Sequence, residues 1–329
     1  MSGFMDVNTW MIVGFLLAAY SVVANDSLQT LGTYISSNKG RTPKALQMLF
    51  ICGVAAAVLL IGWFLHPAGG GLGDPAWGRL EKFPQPDNFT WVYLLPPIAV
   101  LALTQWGAPV STSFLVLSAF EPKNATKLVL NSLSGYVMAF VLALVVYGLL
   151  MWILEKKVLR TNQEGTEVKN YWFALQWLST GWLWSQWLVQ DMANIYVYLP
   201  RQLSFGEMAL SALMLCIGLC VLVWIGGGPI QGVLRSKINT NDLRSATVID
   251  FLFGCVLFWK ANITQFPLST TWVFLGLLAG REIAVRIRLK LSGRQPLYKV
   301  LGSDLFKAGI GIVVSLIVAL AIQPLKTLG

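Results

Sequence analysis

The chain has 329 residues, of which 56% are hydrophobic and only 12% are charged, and its formal net charge is +9. Soluble domains carry about 25% charged residues, so this composition excludes an ordinary soluble protein. A positive charge can indicate nucleic-acid binding, but here the basic residues are confined to a few segments between apolar runs. Such placement is typical of the cytoplasmic loops of membrane proteins. We therefore predict an all-α polytopic membrane protein with no nucleic-acid partner.

Apolar runs divide the chain, and the longer ones reach the roughly 20 residues that a helix needs to cross a hydrocarbon core. No Lys or Arg precedes residue 39, unlike in a cleaved signal peptide, so we expect the first run to remain as a membrane helix. Two pairs of shorter runs, 91–106 with 109–120 and 247–259 with 268–280, predict re-entrant helical hairpins. The runs lie near residues 9–24, 44–65, 91–106, 109–120, 128–154, 171–189, 205–226, 247–259, 268–280 and 300–322.

The basic segments predict the orientation of the helices, because Lys and Arg accumulate on the cytoplasmic side. This rule places both termini outside, with the first hairpin opening outward and the second opening inward. The chain then divides into a first repeat (residues 1–154), a cytoplasmic linker (155–170) and a second repeat of opposite topology (171–329). The residues assigned to the cytoplasm are Lys39, Arg41, Lys44, Lys156, Lys157, Arg160, Lys169, Arg235, Lys237, Arg244, Arg281, Arg286, Arg288, Lys290, Arg294 and Lys299.

Two motifs recur in the same order in the two halves. In the first motif Ser111 and Ser269 are offset by 158 residues, and in the second Asp26 and Asp191 are offset by 165 residues. Two unrelated apolar segments can resemble each other by chance, but two such matches in the same order are less expected from chance than one. We therefore predict inverted-topology repeats with broken helices. The similar stretches are GAPVSTSFLVLSAF at 107–120 with QFPLSTTWVFLGLLAG at 265–280, and ANDSLQTLGT at 24–33 with VQDMANIYVYLP at 189–200.

Each Pro-x-Ser-Thr motif predicts a helix start that carries free hydroxyl groups. Pro109 and Pro267 suit the first helical position. The hydroxyls that follow lie in the first turn, where backbone N–H groups lack partners and the helix dipole is positive. This combination binds oxyanions, although simple helix capping is the alternative. The candidate anion-binding residues are Ser111, Thr112, Ser113, Ser269, Thr270 and Thr271.

Two acidic residues in apolar surroundings predict cation sites. An ionised residue at the bilayer centre costs roughly 2.5–3.5 kcal/mol on insertion scales, and such residues are functional by default. A carboxylate, side-chain amides and the carbonyls freed by a helix break suit Na⁺. Either aspartate could instead carry a proton or cap a half-helix. The candidate Na⁺ ligands are Asn25, Asp26, Gln29, Gln190, Asp191 and Asn194.

Other polar residues receive less specific roles. Lys260 could neutralise an anion or reach the membrane interface, and we favour the interface. Asp250 precedes a hairpin arm and is also expected at the interface. The cysteines and the single histidine form no metal-ligand pattern, and no nucleophile–base set is present. We therefore expect no enzyme and no cofactor besides a coupling ion.

At these motifs the chain resembles the inorganic phosphate transporter (PiT) family, whose two halves each carry a Gly-Ala-Asn-Asp-Val-Ala-Asn-type signature and a Pro-Val-Ser-Thr-Thr-His-type motif. The resemblance implies inverted repeats and Na⁺- or H⁺-coupled uptake of phosphate. It also implies that the Ser/Thr tips hold the anion, while Asp26 and Asp191 organise the cations and help order the substrate. The signature residues present here are Ala24-Asn25-Asp26, Gly32-Thr33 and Gln190-Asp191-Met192-Ala193-Asn194.

Departures from the family pattern lie at the presumed pocket and are expected to crowd it and change its hydrogen bonding. They leave sulfate or another small oxyanion open as the substrate. The departures are Gln29 and Gln190 in place of Asn, Phe114 and Trp272 in place of His, and Val197-Tyr198 in place of Gly-Pro.

The leading hypothesis is a cation-coupled secondary transporter of inorganic phosphate that works by alternating access in the cell (plasma or inner) membrane. Its partners would be phosphate, Na⁺ or H⁺ and the lipid bilayer, and a homodimer is open as an assembly state. Paired binding of an anion and a cation would favour each other and so couple their transport. The alternatives are an anion channel and a non-transporting membrane protein on the same scaffold.

Overall fold

The structure is a computed structural model that describes residues 8–163, 168–227, 237, 240–263, 267–290 and 297–325. Helices dominate these residues, and a small antiparallel sheet joins two interhelical segments. Two residues predicted in cytoplasmic loops, Arg235 and Arg294, lie outside the described residues.

The first half begins with a helix that is interrupted once and ends with a helix that continues far beyond the predicted crossing. The elements are α1 (Thr9–Val22), a π-helical turn (Val23–Ser27), α2 (Leu28–Ser37), α3 (Lys44–Leu65), strands β1 (Pro67–Gly69) and β2 (Leu72–Gly73), a 3₁₀ turn (Trp91–Leu94), α4 (Leu95–Gln105), a π-helical turn (Ser113–Leu117), α5 (Ser118–Phe120), a 3₁₀ turn (Pro122–Asn124), α6 (Ala125–Val146), a π-helical turn (Tyr147–Met151) and α7 (Trp152–Gln163).

The second half also contains an interrupted helix, followed by long helices. The elements are α8 (Asn170–Asp191), α9 (Ala193–Tyr196), strand β3 (Leu203–Ser204), α10 (Phe205–Ile225), α11 (Leu243–Ile263), α12 (Thr270–Leu289) and α13 (Leu297–Leu325). The strands pair in the order β1-β2-β3, with Leu72 opposite Ser204, and so connect the two halves. A capping box of Ser204 and Glu207 begins α10.

The structure confirms a multi-pass helical membrane protein. Large apolar side chains are exposed along several helices, among them Phe64 (74%) and Leu178 (70%). Such a surface is expected where lipid, not water, surrounds the protein. Among the described residues, the helices long and apolar enough to cross a membrane are Thr9–Ser27, Lys44–Leu65, Pro122–Thr161, Phe205–Ile225 and Leu243–Ile263.

The arms of the second predicted hairpin are longer than expected. They were predicted near 247–259 and 268–280, whereas α11 has 21 residues and α12 has 20. At 1.5 Å per residue each extends about 30 Å, which suffices to cross a bilayer. The corresponding segments of the first hairpin, α4 and residues 113–120, remain short. The re-entrant path of the hairpins and the inverted topology of the halves stay predictions.

The assignment of Arg281 to a cytoplasmic loop is wrong, because this residue lies inside α12 and is fully buried. Its Nη2 lies 2.8 Å from Oε1 of Glu155, which is also fully buried. Ser245 donates a second hydrogen bond of 2.8 Å to the same carboxylate, and the guanidinium lies 5.2 Å from the ring centre of Tyr147. Pairing offsets the cost of burying the two charges, and the two residues of the pair lie far apart in the sequence.

Other polar residues also differ from the sequence-based expectations. Arg286 and Arg288 belong to α12, not to a loop, and residues 155–163 of the predicted linker continue α7. Asp250, predicted near the membrane interface, lies inside α11 and is fully buried by the protein. Lys260 is also largely buried, and its Nζ donates to Ser134 over 2.9 Å.

Glycine allows α6 and α12 to approach each other closely. The two helices run parallel, since Gly276 lies against Tyr136 and Gly280 lies against Phe140. A Cβ placed on Gly280 would lie 2.2 Å from the carbonyl oxygen of Phe140, and one on Gly276 would lie 2.3 Å from that of Tyr136. Because backbone atoms occupy this space, no side-chain rotation can relieve the contact. Close backbone approach at small residues is the usual basis of helix packing in lipid.

We predict that Gly280→Ala destabilises the protein by about 1–3 kcal/mol, as expected for overpacking. Gly53→Ala in α3 is the matched control, because a Cβ there meets nothing within 4 Å and alanine favours a helix. Thermal unfolding in detergent should therefore occur at a lower temperature for the first variant only. Equal unfolding temperatures for both variants would contradict the close contact.

Candidate functional site

Two helix interruptions bring the predicted aspartates into the protein interior. Asp26 lies in the π-helical turn between α1 and α2, and Asp191 is the last residue of α8 before α9. Their exposed fractions are 1% and 0%. A π-helical turn widens the helix locally and is frequent at functional sites. The site is therefore closed to solvent in this conformation.

The first serine of each Pro-x-Ser-Thr motif caps a helical segment. Ser111 Oγ accepts a hydrogen bond from the backbone N–H of Phe114 over 3.2 Å, and Ser269 Oγ accepts one from that of Trp272 over 3.4 Å. The alternative role, helix capping in place of anion binding, therefore applies to the side-chain oxygens of Ser111 and Ser269. Each hydroxyl hydrogen remains available to another acceptor.

The next two residues of each motif contact the carboxylates instead. Thr112 and Thr271 both donate to Asp26, the second over 3.3 Å. Thr270 and Ser113 donate to Asp191 over 2.6 and 3.1 Å. Each carboxylate thus accepts one hydroxyl group from each predicted hairpin tip. Residues from four distant parts of the chain meet at one point.

Backbone carbonyls of the tips recur in the same pattern. Thr271 Oγ1 also lies 2.8 Å from the carbonyl oxygen of Val110, and Ser113 Oγ lies 3.2 Å from that of Leu268. Each hydroxyl has a single hydrogen, which it therefore shares between a carboxylate and a carbonyl. Val110 and Leu268 are offset by the same 158 residues as the motif serines. The contacts therefore recur at the spacing of the sequence repeat.

Two of the four predicted amide ligands contact the aspartates. Asn25 Nδ2 donates to Asp26 over 2.9 Å and to the carbonyl of Val110 over 2.8 Å. Asn194 Nδ2 donates to Asp191 over 2.8 Å. The same amide nitrogen also lies 3.1 Å from Thr112 Oγ1 and 3.0 Å from Ser113 Oγ.

The other two predicted amide ligands are buried nearby without contacting the carboxylates. Gln190 Nε2 donates to the carbonyl of Leu257 over 3.4 Å. Both polar atoms of Gln29 lack a hydrogen-bond partner. Gln29 follows Asp26 by three residues, so the two side chains lie on neighbouring positions of one helix face.

All four amide side chains hold a buried oxygen that accepts no hydrogen bond. These atoms are Asn25 Oδ1, Gln29 Oε1, Gln190 Oε1 and Asn194 Oδ1. A buried polar atom without a partner costs about 1–3 kcal/mol and calls for an explanation such as an absent water or ion. Oxygens of amides and carboxylates are the ligands that hard cations prefer. The residues present therefore fit a Na⁺ site beside each aspartate.

Arg79 is a basic residue that sequence reasoning missed, and it acts electrostatically on one of the two carboxylates, Asp191. It lies in the segment between β2 and the 3₁₀ turn, is 6% exposed, and attracts the charge of Asp191. Burial lowers the pKa of Arg79 to about 10, while the nearby Asp191 raises it. The residue therefore stays charged at neutral pH. An arginine in a segment predicted outside is unusual under the positive-inside rule. This departure is the feature of the sequence that could have pointed to a role for Arg79.

Of the three aromatic residues at the departures from the family pattern, two pack on other aromatic rings. The ring of Trp272 packs at a steep angle on Tyr136 of α6, with 5.8 Å between ring centres. Tyr198 packs on Phe120 with 5.2 Å between ring centres and donates to the carbonyl of Tyr93. Phe114 is buried.

Comparison with known proteins supports the fold. No protein-family model matches the sequence, and no curated protein matches it. A solved structure described as "The sodium-dependent phosphate transporter" is similar over 95% of this chain and 96% of that chain, with a TM-score of 0.62 and 15% sequence identity. The chain therefore shares the fold of a sodium-dependent phosphate transporter at a strongly diverged sequence, which agrees with the resemblance of its motifs to the PiT family.

Proposed function

We propose that the protein is a cation-coupled secondary transporter of inorganic phosphate that works by alternating access. One observation carries this proposal: two buried carboxylates each accept hydroxyl groups from both Ser/Thr tips. Donors suited to an anion and oxygens suited to a cation thus occupy one closed site. The fold similarity to a sodium-dependent phosphate transporter supports the same conclusion.

The hydrogen bonds between the tip hydroxyl groups and the carboxylates suggest how binding of the cation and binding of the anion are coupled. Thr270 and Thr271 donate to carboxylates in the present arrangement. A cation bound to Asp191 or Asp26 would reduce the demand of that carboxylate for hydroxyl donors. The released hydroxyl groups could then donate to an incoming oxyanion near the first turn of α12, where the helix dipole also favours negative charge. Binding of each ion would therefore strengthen binding of the other.

The substrate assignment to phosphate rests on the carboxylates. Monohydrogen phosphate carries a hydroxyl group that needs an acceptor, whereas sulfate carries none at neutral pH. Asp26 and Asp191 can accept that hydrogen bond, and a site built around a hydrogen-bond partner discriminates against an analogue that lacks it. Sulfate remains the competing substrate because the Ser/Thr tips suit any small oxyanion.

The burial of the site disfavours an anion channel. Asp26 and Asp191 are shielded from solvent in this conformation, and their negative charges would repel a lone anion. A non-transporting role would require Phe114, Trp272 and Tyr196 to fill the pocket. Against it, Trp272 packs on Tyr136, and Tyr196 packs on Phe15 and bonds Ser211. We further propose Na⁺ or H⁺ as the coupling ion, the cell membrane as the location, external termini, and a homodimer as an assembly to be tested.

We expect proteoliposomes containing the purified protein to accumulate labelled phosphate when Na⁺ is higher outside than inside. Accumulation should collapse when K⁺ replaces Na⁺ and no proton gradient is present. Excess unlabelled phosphate should compete more strongly than sulfate. Passive anion currents without uphill accumulation would favour a channel, and the absence of any oxyanion uptake or binding would contradict the proposal.

Removing either central carboxylate should weaken the dependence of uptake on Na⁺. We expect Asp191→Asn and Asp26→Asn to raise the Na⁺ concentration for half-maximal uptake by tenfold or more, because hydrogen bonds and contacts to charged groups are worth about 1.5–3 kcal/mol. Asp87→Asn is the matched control, since Asp87 is an exposed carboxylate. If all three variants show the same Na⁺ dependence as the original protein, these aspartates do not bind the coupling ion.

A further inference from the structure

A third carboxylate is buried away from the central site. Asp250 of α11 is fully buried and accepts a hydrogen bond of 2.6 Å from Thr33 of α2. It also accepts hydrogen bonds from two residues of α8, Thr180 over 2.6 Å and Gln176 over 2.9 Å. Thr247 donates to the oxygen of Gln176 over 2.9 Å. One carboxylate thus holds three helices together.

The described hydrogen bonds of Asp250 all come from neutral hydroxyl and amide groups. The buried titratable groups on α6, α7, α12 and the turn after α6, all packed near α11, are Tyr147, Glu155, Arg281 and Glu282. Arg281 forms its ion pair with Glu155. On α2 and α8 the groups that contact Asp250 are Thr33, Gln176 and Thr180, and the buried titratable residues are Tyr34 and Asp191. A carboxylate without an ion-pair partner is costly in the membrane interior, and such residues mark function by default.

The corresponding place in the first half shows that the fold does not require a polar cluster there. The sequence offset of 158 residues relates Asp250 to Val92, and the offset of 165 relates Gln176, Thr180 and Thr33 to Met11, Phe15 and Tyr198. All four counterparts are buried. At these positions the first half is therefore packed with apolar and aromatic side chains, whereas the second half is packed with hydroxyl, amide and carboxylate groups.

Helix α2 connects this cluster to the central site. Asp26, Gln29 and Thr33 follow one another at intervals of three and four residues, so they lie along one face of the helix. Gln29, between the two others, is buried with both polar atoms unpartnered. A line of polar side chains therefore leads from Asp26 to Asp250.

We propose that Asp250 is a proton-binding site, separate from the two central cation sites, whose protonation weakens the docking of α2 on α8 and α11. A hydronium ion would transfer a proton to one carboxylate oxygen and leave as water, and a threonine hydroxyl would rotate from donating to accepting. No other bond is made or broken. Charge-assisted hydrogen bonds are roughly twice as strong as neutral ones, so neutral Asp250 holds Thr33 more weakly.

The geometry favours a proton over Na⁺ at this place. Both oxygens of Asp250 already lie 2.6–2.9 Å from the atoms that donate to them. Donors also occupy Asp26 and Asp191, but unpartnered amide oxygens lie beside them. Here the amide oxygen of Gln176 already accepts from Thr247, so a sodium ion would have to displace the present donors. A proton needs only the rotation of a hydroxyl group, which costs no rearrangement of the helices.

Infrared spectroscopy tests the proton site without relying on transport. Purified protein in Na⁺-free buffer should show a carboxylic-acid C=O band that disappears as pH rises. We expect this band to persist in the double variant Asp26→Asn/Asp191→Asn and to be absent when Asp250→Asn is added. The absence of a titrating band that depends on Asp250 would overturn the inference. So would loss of the band on adding Na⁺ at constant pH in the double variant.

A second variant guards against failure of Asp250→Asn to fold. Thr33→Val removes a donor to the ionised form, so the midpoint of the band should move upward by about one pH unit. An unchanged midpoint would contradict the assignment.

The consequence for transport rests on the proposed function and is measured separately. At a fixed Na⁺ gradient, uptake should vary with internal pH in the original protein and lose this dependence in Asp250→Asn. Equal pH dependence in both proteins would contradict control of α2 by Asp250. A titrating band in a protein that transports no oxyanion would leave the proton site intact and overturn the proposed function alone.

Discussion

The central interaction of this structure is the set of hydrogen bonds that the hydroxyl groups of both Ser/Thr tips donate to two buried carboxylates. Asp26 and Asp191 each accept from one tip in the first half and one tip in the second. Because the carboxylates and the tips lie on different helices, this small set of hydrogen bonds determines where the helix ends meet. Any ion that binds a carboxylate must compete with these donors, which links occupancy of the site to the packing of the helices around it.

The lipid environment explains why polar groups are concentrated along the interior. Hydrocarbon offers no hydrogen bonds, so each buried polar group must find its partner within the protein. The cluster around Asp250 follows this rule. The ion pair of Arg281 and Glu155 follows it in part, because Nη2 of Arg281 bonds the carboxylate whereas its Nε and Nη1 have no hydrogen-bond partner. The partly unpartnered amide oxygens beside Asp26 and Asp191 depart from it. Under the proposed function, these amide oxygens would gain a partner when a cation binds.

The local motifs were predictable from the sequence, whereas the long-range partners were not. Proline followed by hydroxyl residues identified both tips, because each step of that argument concerns neighbouring residues. The aspartates were recognised because a charge within an apolar run is costly wherever it lies. Arg281 was misassigned because the positive-inside rule counts charges without their partners, and Glu155 lies 126 positions away. The burial of Asp250 was not predicted for a similar reason: it depends on Thr33 and Thr180, which lie far away in the sequence.

The contact between α6 and α12 has a consequence for how the second tip can move. The backbone N–H of Ser269 donates to Ser132 over 2.9 Å, and Asn131 donates to the carbonyl of Pro267 over 3.2 Å. The same pair of helices is in direct backbone contact farther along, at Gly276 and Gly280. A helix fastened at its start and along its length cannot slide past its neighbour. In the proposed transport cycle the second tip would therefore travel as one rigid body with α6, and any sliding would occur on the opposite side of that body.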